Sequence, residues 1–131
     1  MLLTKECDYA IRVIKNLAEK DIETVGMICE NEMIPRPFAY KILKKLDHAG
    51  IVTAYRGAAG GYKLAKDPVE ITLFDIINTI DNHLLVSDCL IENHTCPCHA
   101  NGRTCTIRAE MERLQGVLVS ALSEKRVSEL I

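Results

Sequence analysis

The sequence predicts a mainly α-helical chain that carries one small β-hairpin and ends in a long helix. Three observations predict it. Apolar residues recur at intervals of three and four along several separate segments. Two short β-type segments, "IVTAY" and "GYKL", flank the glycine-containing connection "RGAAG". A last apolar run, Ile107, Met111, Leu114, Leu118 and Ala121, follows a four-three-four-three spacing.

In chain order, Thr4 is placed to cap a first helix with Cys7, Ala10, Ile11, Ile14, Leu17 and Ala18 on one buried stripe. A second short helix is expected from about Val25 to Asn31, with Ile28 and Cys29 facing inward. Pro35 and Pro37 suit the first turn of a third helix, where a missing N–H costs nothing. That helix, "RPFAYKILKKLDHAG", puts Ala39, Ile42, Leu43 and Leu46 on one face and leaves Tyr40, Lys41, Lys44 and Lys45 free to point elsewhere. Gly50 ends it. After the hairpin, Thr72 and Asp75 form a T-x-x-D capping box that opens a fourth helix with Leu73, Ile76, Ile77 and Ile80 buried.

The chain has 131 residues, 48% of them apolar and 26% charged, which suits one domain with a sizeable core and excludes general disorder. Its start, "MLLTKECDYAIR", meets charge at once and lacks the apolar run of a signal peptide. No stretch is apolar for long enough to span a membrane, so a cytoplasmic protein is expected. There, clustered cysteines mean metal binding or redox chemistry more often than disulfides.

A net charge of -2 hides an asymmetry. Residues 1–66 carry eleven Lys/Arg against eight Asp/Glu, or +3, and residues 67–131 carry five against ten, or -5. Between Arg36 and Lys63 stand six basic residues and one acid, Asp47. A charge run alone is usually a solvated face. Here it coincides with three helices followed by a hairpin, the order of a winged helix-turn-helix, whose third helix enters the major groove of DNA while the hairpin lies over the backbone or minor groove. Arg56 sits at the hairpin tip beside Gly57, Gly60 and Gly61, which would let the backbone approach phosphates.

Four of the six cysteines fall in "CLIENHTCPCHANGRTC", spaced Cys89-x6-Cys96-x-Cys98-x6-Cys105. Thiolates at such closeness suit an iron–sulfur cluster or zinc, and spacing does not separate the two. Cys96 and Cys98 are awkwardly close for both to bind one iron. Cys7 and Cys29 read as small apolar core residues, and His94 and His99 as solvated loop residues.

The segments "IPRPFAYKILKKLDHAGIV" and "RGAAGGYKLAKDPVEITLFDII" resemble the Rrf-type winged-helix repressors, the group that includes IscR, NsrR and CymR. The RG-x-x-GGY-x-LA wing is the specific part, and the likeness runs from Leu3 through the last helix. It implies a homodimer that crosses its C-terminal helices and reads a partly palindromic double-stranded DNA operator. Carried over residue by residue, it puts the wing arginine on Arg56 and the groove-facing start of the recognition helix on Arg36, Pro37, Tyr40 and Lys41. Lys44, Gly57 and Gly60 complete the expected DNA-binding set. Met33 departs from the family's usual glycine in the turn before that helix.

The resemblance also implies roles for the cysteines. Cys89, Cys96 and Cys105 look like the three ligands of the nitric-oxide-sensing, NsrR-like branch, with Cys98 as an alternative middle ligand because the interval to Cys105 is longer here. That branch takes its fourth ligand from an aspartate of the other subunit, and Asp8 stands in that place, although an acid in the first turns of a helix is also favourable through the helix dipole alone. The cluster-assembly branch has a histidine where this chain has Arg108, which favours a 4Fe-4S cluster over a histidine-bound 2Fe-2S one. The expected division is a winged helix-turn-helix unit at 1–82, a cluster-binding loop at 83–106, and a dimerisation helix with tail at 107–131.

The function expected is therefore a transcription regulator, a repressor, whose iron–sulfur cluster senses nitric oxide, oxidants or iron–sulfur status. Two alternatives keep the DNA-binding fold but switch it by cysteine oxidation or give the loop a structural zinc. A small redox carrier or enzyme is the third. The chain offers no acid/base pair in a cofactor framework, no phosphate-binding glycine motif and no nucleophile with an evident base, so no enzyme is expected.

Overall fold

The first helix, α1 (Lys5–Glu19), is the hub against which the other elements pack. Thr4 caps it by accepting from the Cys7 amide, and Cys7, Ala10, Val13, Ile14 and Leu17 are buried along it. Ile11 and Ala18 lie half-buried at the edges of that stripe. The computed structural model describes residues 2–131, and for His99 and Ala100 only the backbone.

Helices α2 (Val25–Glu32) and α3 (Arg36–His48) form the helix-turn-helix beside α1. The turn closes with Met33 in the left-handed conformation, φ 52° and ψ 48°, while the Ile34 amide reaches back to the Cys29 carbonyl at 3.1 Å. This is the helix end that normally selects glycine. Cys29 is half-buried and packs at the rim of the core, whereas Ile28 is fully buried. Pro35 occupies the N-cap of α3 and Pro37 lies within its first turn, so neither removes a helix hydrogen bond. Ala39, Ile42, Leu43 and Leu46 are fully buried, each of the larger ones worth about 1.5–3 kcal/mol of burial. At the other end, Gly50 and Ile51 donate to the Asp47 and Leu46 carbonyls, the paired bonds of a Schellman stop.

Strands β1 (Val52–Tyr55) and β2 (Gly61–Leu64) pair antiparallel, Val52 opposite Leu64 and Tyr55 opposite Gly61. Glu23, just before α2, bonds both ways with Tyr62 and so ties the hairpin to the helix-turn-helix. Gly61 makes that approach possible, since a Cβ there would lie 2.5 Å from the Glu23 carbonyl oxygen.

Helix α4 (Leu73–Ile80) starts with the predicted capping box: Asp75 accepts from the Thr72 amide at 2.9 Å, and Thr72 accepts from that of Asp75 at 3.1 Å. Ile76, Ile77 and Ile80 are buried, and Leu73 is only half-buried. A one-turn helix, α5 (Pro97–Ala100), interrupts the cysteine loop before the long α6 (Thr106–Glu124). The chain then returns to the core, where Val127 is 4% exposed and its amide donates to the Ile71 carbonyl at 2.8 Å. No helix among the described residues is long and apolar enough to cross a membrane.

The run predicted as one seam on α6 is divided between two faces. Met111, Gln115, Leu118 and Leu122 form the half-buried inner stripe, and Leu118 and Leu122 pack on the core. Ile107, Leu114, Val117 and Ala121 form an outer stripe left to solvent. The inner stripe carries glutamine at one position, which is why an apolar count alone merges the two.

Candidate functional site

Two groups of residues stand out, a basic face on α3 and the wing, and the cysteine loop between α4 and α6. On the basic face Arg36, Pro37, Tyr40, Lys41, Lys44, Arg56 and Gly57 are all exposed, as a surface that meets a ligand requires. Among the described residues Arg36, Lys44 and Arg56 take part in no ion pair. Gly60 is half-buried, and a Cβ there would lie 2.7 Å from the Gly57 and Tyr55 carbonyl oxygens, so its glycine is needed for the wing's own closure.

Lys41 and Lys45 point away from the buried face of α3, as the helical wheel predicts, and there meet an acid of α1. The Glu6 carboxylate on α1 takes both, at 2.5 Å from Lys41 and 3.3 Å from Lys45. The Lys41 hydrogen bond holds the Glu6 carboxyl below its ordinary range, against the smaller opposing effect of burial and with Lys45 assisting. Lys45 also donates to the Ile80 carbonyl at 3.0 Å, the last of α4. Tyr9 packs edge-on against Phe38 with ring centroids 5.5 Å apart, a second link between α1 and the start of α3. Glu6 escaped the sequence reading because its partners lie thirty-five and thirty-nine residues away.

In the loop, Cys89, Cys96, Cys98 and Cys105 are half-buried free thiols. Ser87 starts the turn Asp88–Leu90 and donates to the Cys89 sulfur at 3.2 Å. Cys105 is the N-cap of α6 and accepts from the Arg108 amide at 3.4 Å. That backbone bond, with the neighbouring Cys98 thiol and the Arg108 charge, lowers the Cys105 pKa despite partial burial. Cys98 shifts up, first through burial and then through Cys105. The structure thus brings Cys98 and Cys105 together as a pair of unlike acidity.

Helix α6 holds the loop at two points. Arg108 donates from its guanidinium to the Cys89 carbonyl. Gln115 both donates to the Leu84 carbonyl at 2.8 Å and accepts from the Val86 amide at 3.0 Å, using both ends of its amide. Asp8 stands elsewhere in the chain, 2.9 Å from Arg12, and the Arg12 guanidinium also donates to the Glu32 carbonyl. Among the described residues, no three His, Cys, Asp or Glu side chains are gathered in a metal-holding group. The donor set nevertheless fits a thiophilic centre, since it consists of thiols, soft sulfur donors gathered on one loop. Cys7, fully buried, and Cys29 stay outside this set.

A helix-turn-helix with a basic third helix, a wing and a long C-terminal helix define the class of a winged helix-turn-helix transcription regulator. Residues 3–131 match the family model Rrf2, whose description is iron-dependent transcriptional regulator, and the chain belongs to that family. It is a DNA-binding regulator and not an enzyme, and members of the family work as oligomers. It is 28% identical to the HTH-type transcriptional repressor NsrR of Streptomyces coelicolor, over 100% of this chain and 88% of the relative. Among solved structures, IscR of T. potens superposes with a TM-score of 0.74 at 20% identity, covering 98% of this chain and 84% of that one. CymR, the global cysteine regulator of B. subtilis, superposes with a TM-score of 0.76 at 21% identity, covering 98% and 94%. At these identities the two structures establish the fold.

Proposed function

We propose that the chain is a cytoplasmic homodimeric repressor that reads a partly palindromic operator and is switched by an iron–sulfur cluster responsive to nitric oxide or redox state. The observation that carries this reading is the placement of four half-buried thiols on the one segment that joins the winged unit to α6, tied to α6 through Arg108 and Gln115. The 28% identity to an NsrR over the whole chain supports the nitric-oxide branch.

Arg36, Pro37, Tyr40, Lys41 and Lys44 would face the major groove, and Arg56 with Gly57 and Gly60 would form the wing contact. Arg36 and Arg56 supply bidentate donors suited to guanine or phosphate. Cys89, Cys105 and either Cys96 or Cys98 as the middle ligand would hold the cluster with Asp8 of the second subunit. A 4Fe-4S group bound there supplies a centre that reacts with nitric oxide and oxidants. Arg108 fixes the Cys89 backbone and lends positive charge to a site of thiolates, which lowers the cost of holding them deprotonated.

The neighbouring thiols of Cys98 and Cys105 support a second reading, a thiol switch. Cys98 and Cys105 would form a disulfide on giving two electrons and two protons to a peroxide, which leaves as water and alcohol or as two waters. The experiment for the main reading starts with selection of bound sequences from a random duplex pool. The recovered duplex is then titrated with anaerobic protein before and after nitric oxide. Recovery of a partly palindromic site whose affinity falls on nitric oxide addition is expected. Equal affinity before and after, in a protein that loses affinity with peroxide and regains it with dithiothreitol, would assign the switch to the thiols.

A further inference from the structure

The ion pairs of Glu6 lie at the edge of the proposed DNA-facing surface, and Glu6 itself has no part in the reading above. The side chain of Glu6 is 22% exposed and that of Lys41 57% exposed, so the pair meets solvent while its carboxylate stays anchored on α1. Lys45 is held twice, by Glu6 and by the last carbonyl of α4, and is 36% exposed. Lys41 has Glu6 as its one ion-pair partner among the described residues. A carboxylate oxygen at this distance from an ammonium occupies the place a phosphate oxygen would take.

We propose that Glu6 is a specificity-determining residue of DNA binding, an internal phosphate surrogate that keeps Lys41 from the backbone of non-operator duplex and yields it only when α3 is seated in an operator groove. The inference rests on the proposal that α3 and the wing face DNA. Exposed ion pairs are weak, so exchanging Glu6 for a phosphate changes little energy by itself. What decides the exchange is distance. A phosphate must come within hydrogen-bond reach of the Lys41 ammonium, and base-edge contacts along Arg36 and Tyr40 draw the helix that deep on operator alone. On other sequences, held by long-range attraction, the nearer Glu6 carboxylate keeps the lysine. Glu6 thereby removes one counterion-releasing contact from non-specific binding and leaves it available to specific binding.

The test is the salt dependence of affinity, measured by fluorescence anisotropy with the full-length dimer on selected operator and on random duplex. Each phosphate contact steepens the log–log slope by about 0.9. The parent is expected to be steeper on operator than on random duplex by about one such contact. In Glu6→Gln the random-duplex slope steepens to match, affinity for random duplex at low salt rises several-fold, and discrimination between the two duplexes falls by the same factor. Adding Lys41→Gln to Glu6→Gln returns the random-duplex slope to the parental one. In the otherwise parental chain, Lys41→Gln flattens the operator slope and leaves the random-duplex slope unchanged.

A Glu6→Gln protein with parental slopes on both duplexes would overturn the proposal and reduce Glu6 to a brace between α1 and α3. The single variant Lys41→Gln keeps the test open even if Glu6→Gln folds poorly, because a flattened random-duplex slope there would overturn it too. Unchanged operator binding in both Arg36→Ala and Arg56→Ala would instead show that this face does not meet DNA. That failure is separate from a failure of Glu6 alone.

Discussion

Arg108 and Cys89 are joined across the cysteine loop: the Arg108 guanidinium donates to the Cys89 carbonyl, while the Arg108 amide donates to the sulfur of Cys105. One residue of α6 therefore touches both ends of a segment that holds four thiols. Because Arg108 is in the first turn of α6, any change in the loop's internal bonding is felt at the start of the helix.

Removing that clamp should loosen the loop without unfolding the protein. A hydrogen bond from a charged donor is worth about 1.5–3 kcal/mol, and partial exposure of this one reduces it to about 1–2 kcal/mol. In Arg108→Ala, amide exchange at residues 86–91 should quicken by about 5–30-fold, with α1 and α3 unchanged. Equal exchange rates in parent and variant would show that Gln115 alone holds the loop.

Met33 adopts the left-handed conformation at the end of α2 while its side chain is 81% exposed. It accepts backbone strain and returns little packing. Met33→Gly should raise stability by about 1 kcal/mol, read as a higher urea midpoint at unchanged slope. A lower midpoint would mean that the side chain packs in the dimer.

The outer stripe of α6 carries Ile107 at 67% exposure and Val117 at 54%, left to solvent by the described residues. The half-buried inner stripe holds α6 to its own core. Leu114→Glu with Val117→Glu should therefore dissociate the oligomer while leaving the helical circular dichroism of the subunit intact. Sedimentation velocity reads the first and a far-ultraviolet spectrum the second. A variant that stays dimeric would place the interface off this stripe.

At the wing tip, Arg56 is exposed and unpaired among the described residues. Arg56→Ala should weaken operator binding by about 1–3 kcal/mol if it reads a base bidentately. A uniform loss on all duplexes, with a flatter salt slope, would assign it to phosphate instead.

Much of this architecture is legible in the sequence, because its strongest signals are local. Thr4, Thr72 and Asp75 cap helices within three residues of themselves, and the buried stripes of α1, α3 and α4 follow one short period. The basic character of α3 and the crowding of thiols in one loop are equally local. What escapes are relations made by the fold. Glu6 finds Lys41 and Lys45 only after α1 and α3 are packed. The return of Val127 to Ile71 is invisible in a short polar tail. On α6 the polar Gln115 occupies the inward stripe because it bonds backbone groups of the loop, and an apolar count has no way to register that. Cys98 and Cys105 likewise meet through the one-turn helix α5, whose start at Pro97 is plain only afterwards.

The central claim, a cluster held by loop thiols with Asp8 of the second subunit, is tested most directly by native mass spectrometry of the anaerobically isolated dimer, with iron and acid-labile sulfide assayed on the same sample. The account predicts a 4Fe-4S complement in each subunit. In Asp8→Ala it predicts an intact apo fold, since among the described residues the Asp8 side chain makes only an exposed pair with Arg12, and a cluster lost rapidly on desalting. Zinc in place of iron, or no metal in a dimer that still binds its operator, would contradict it.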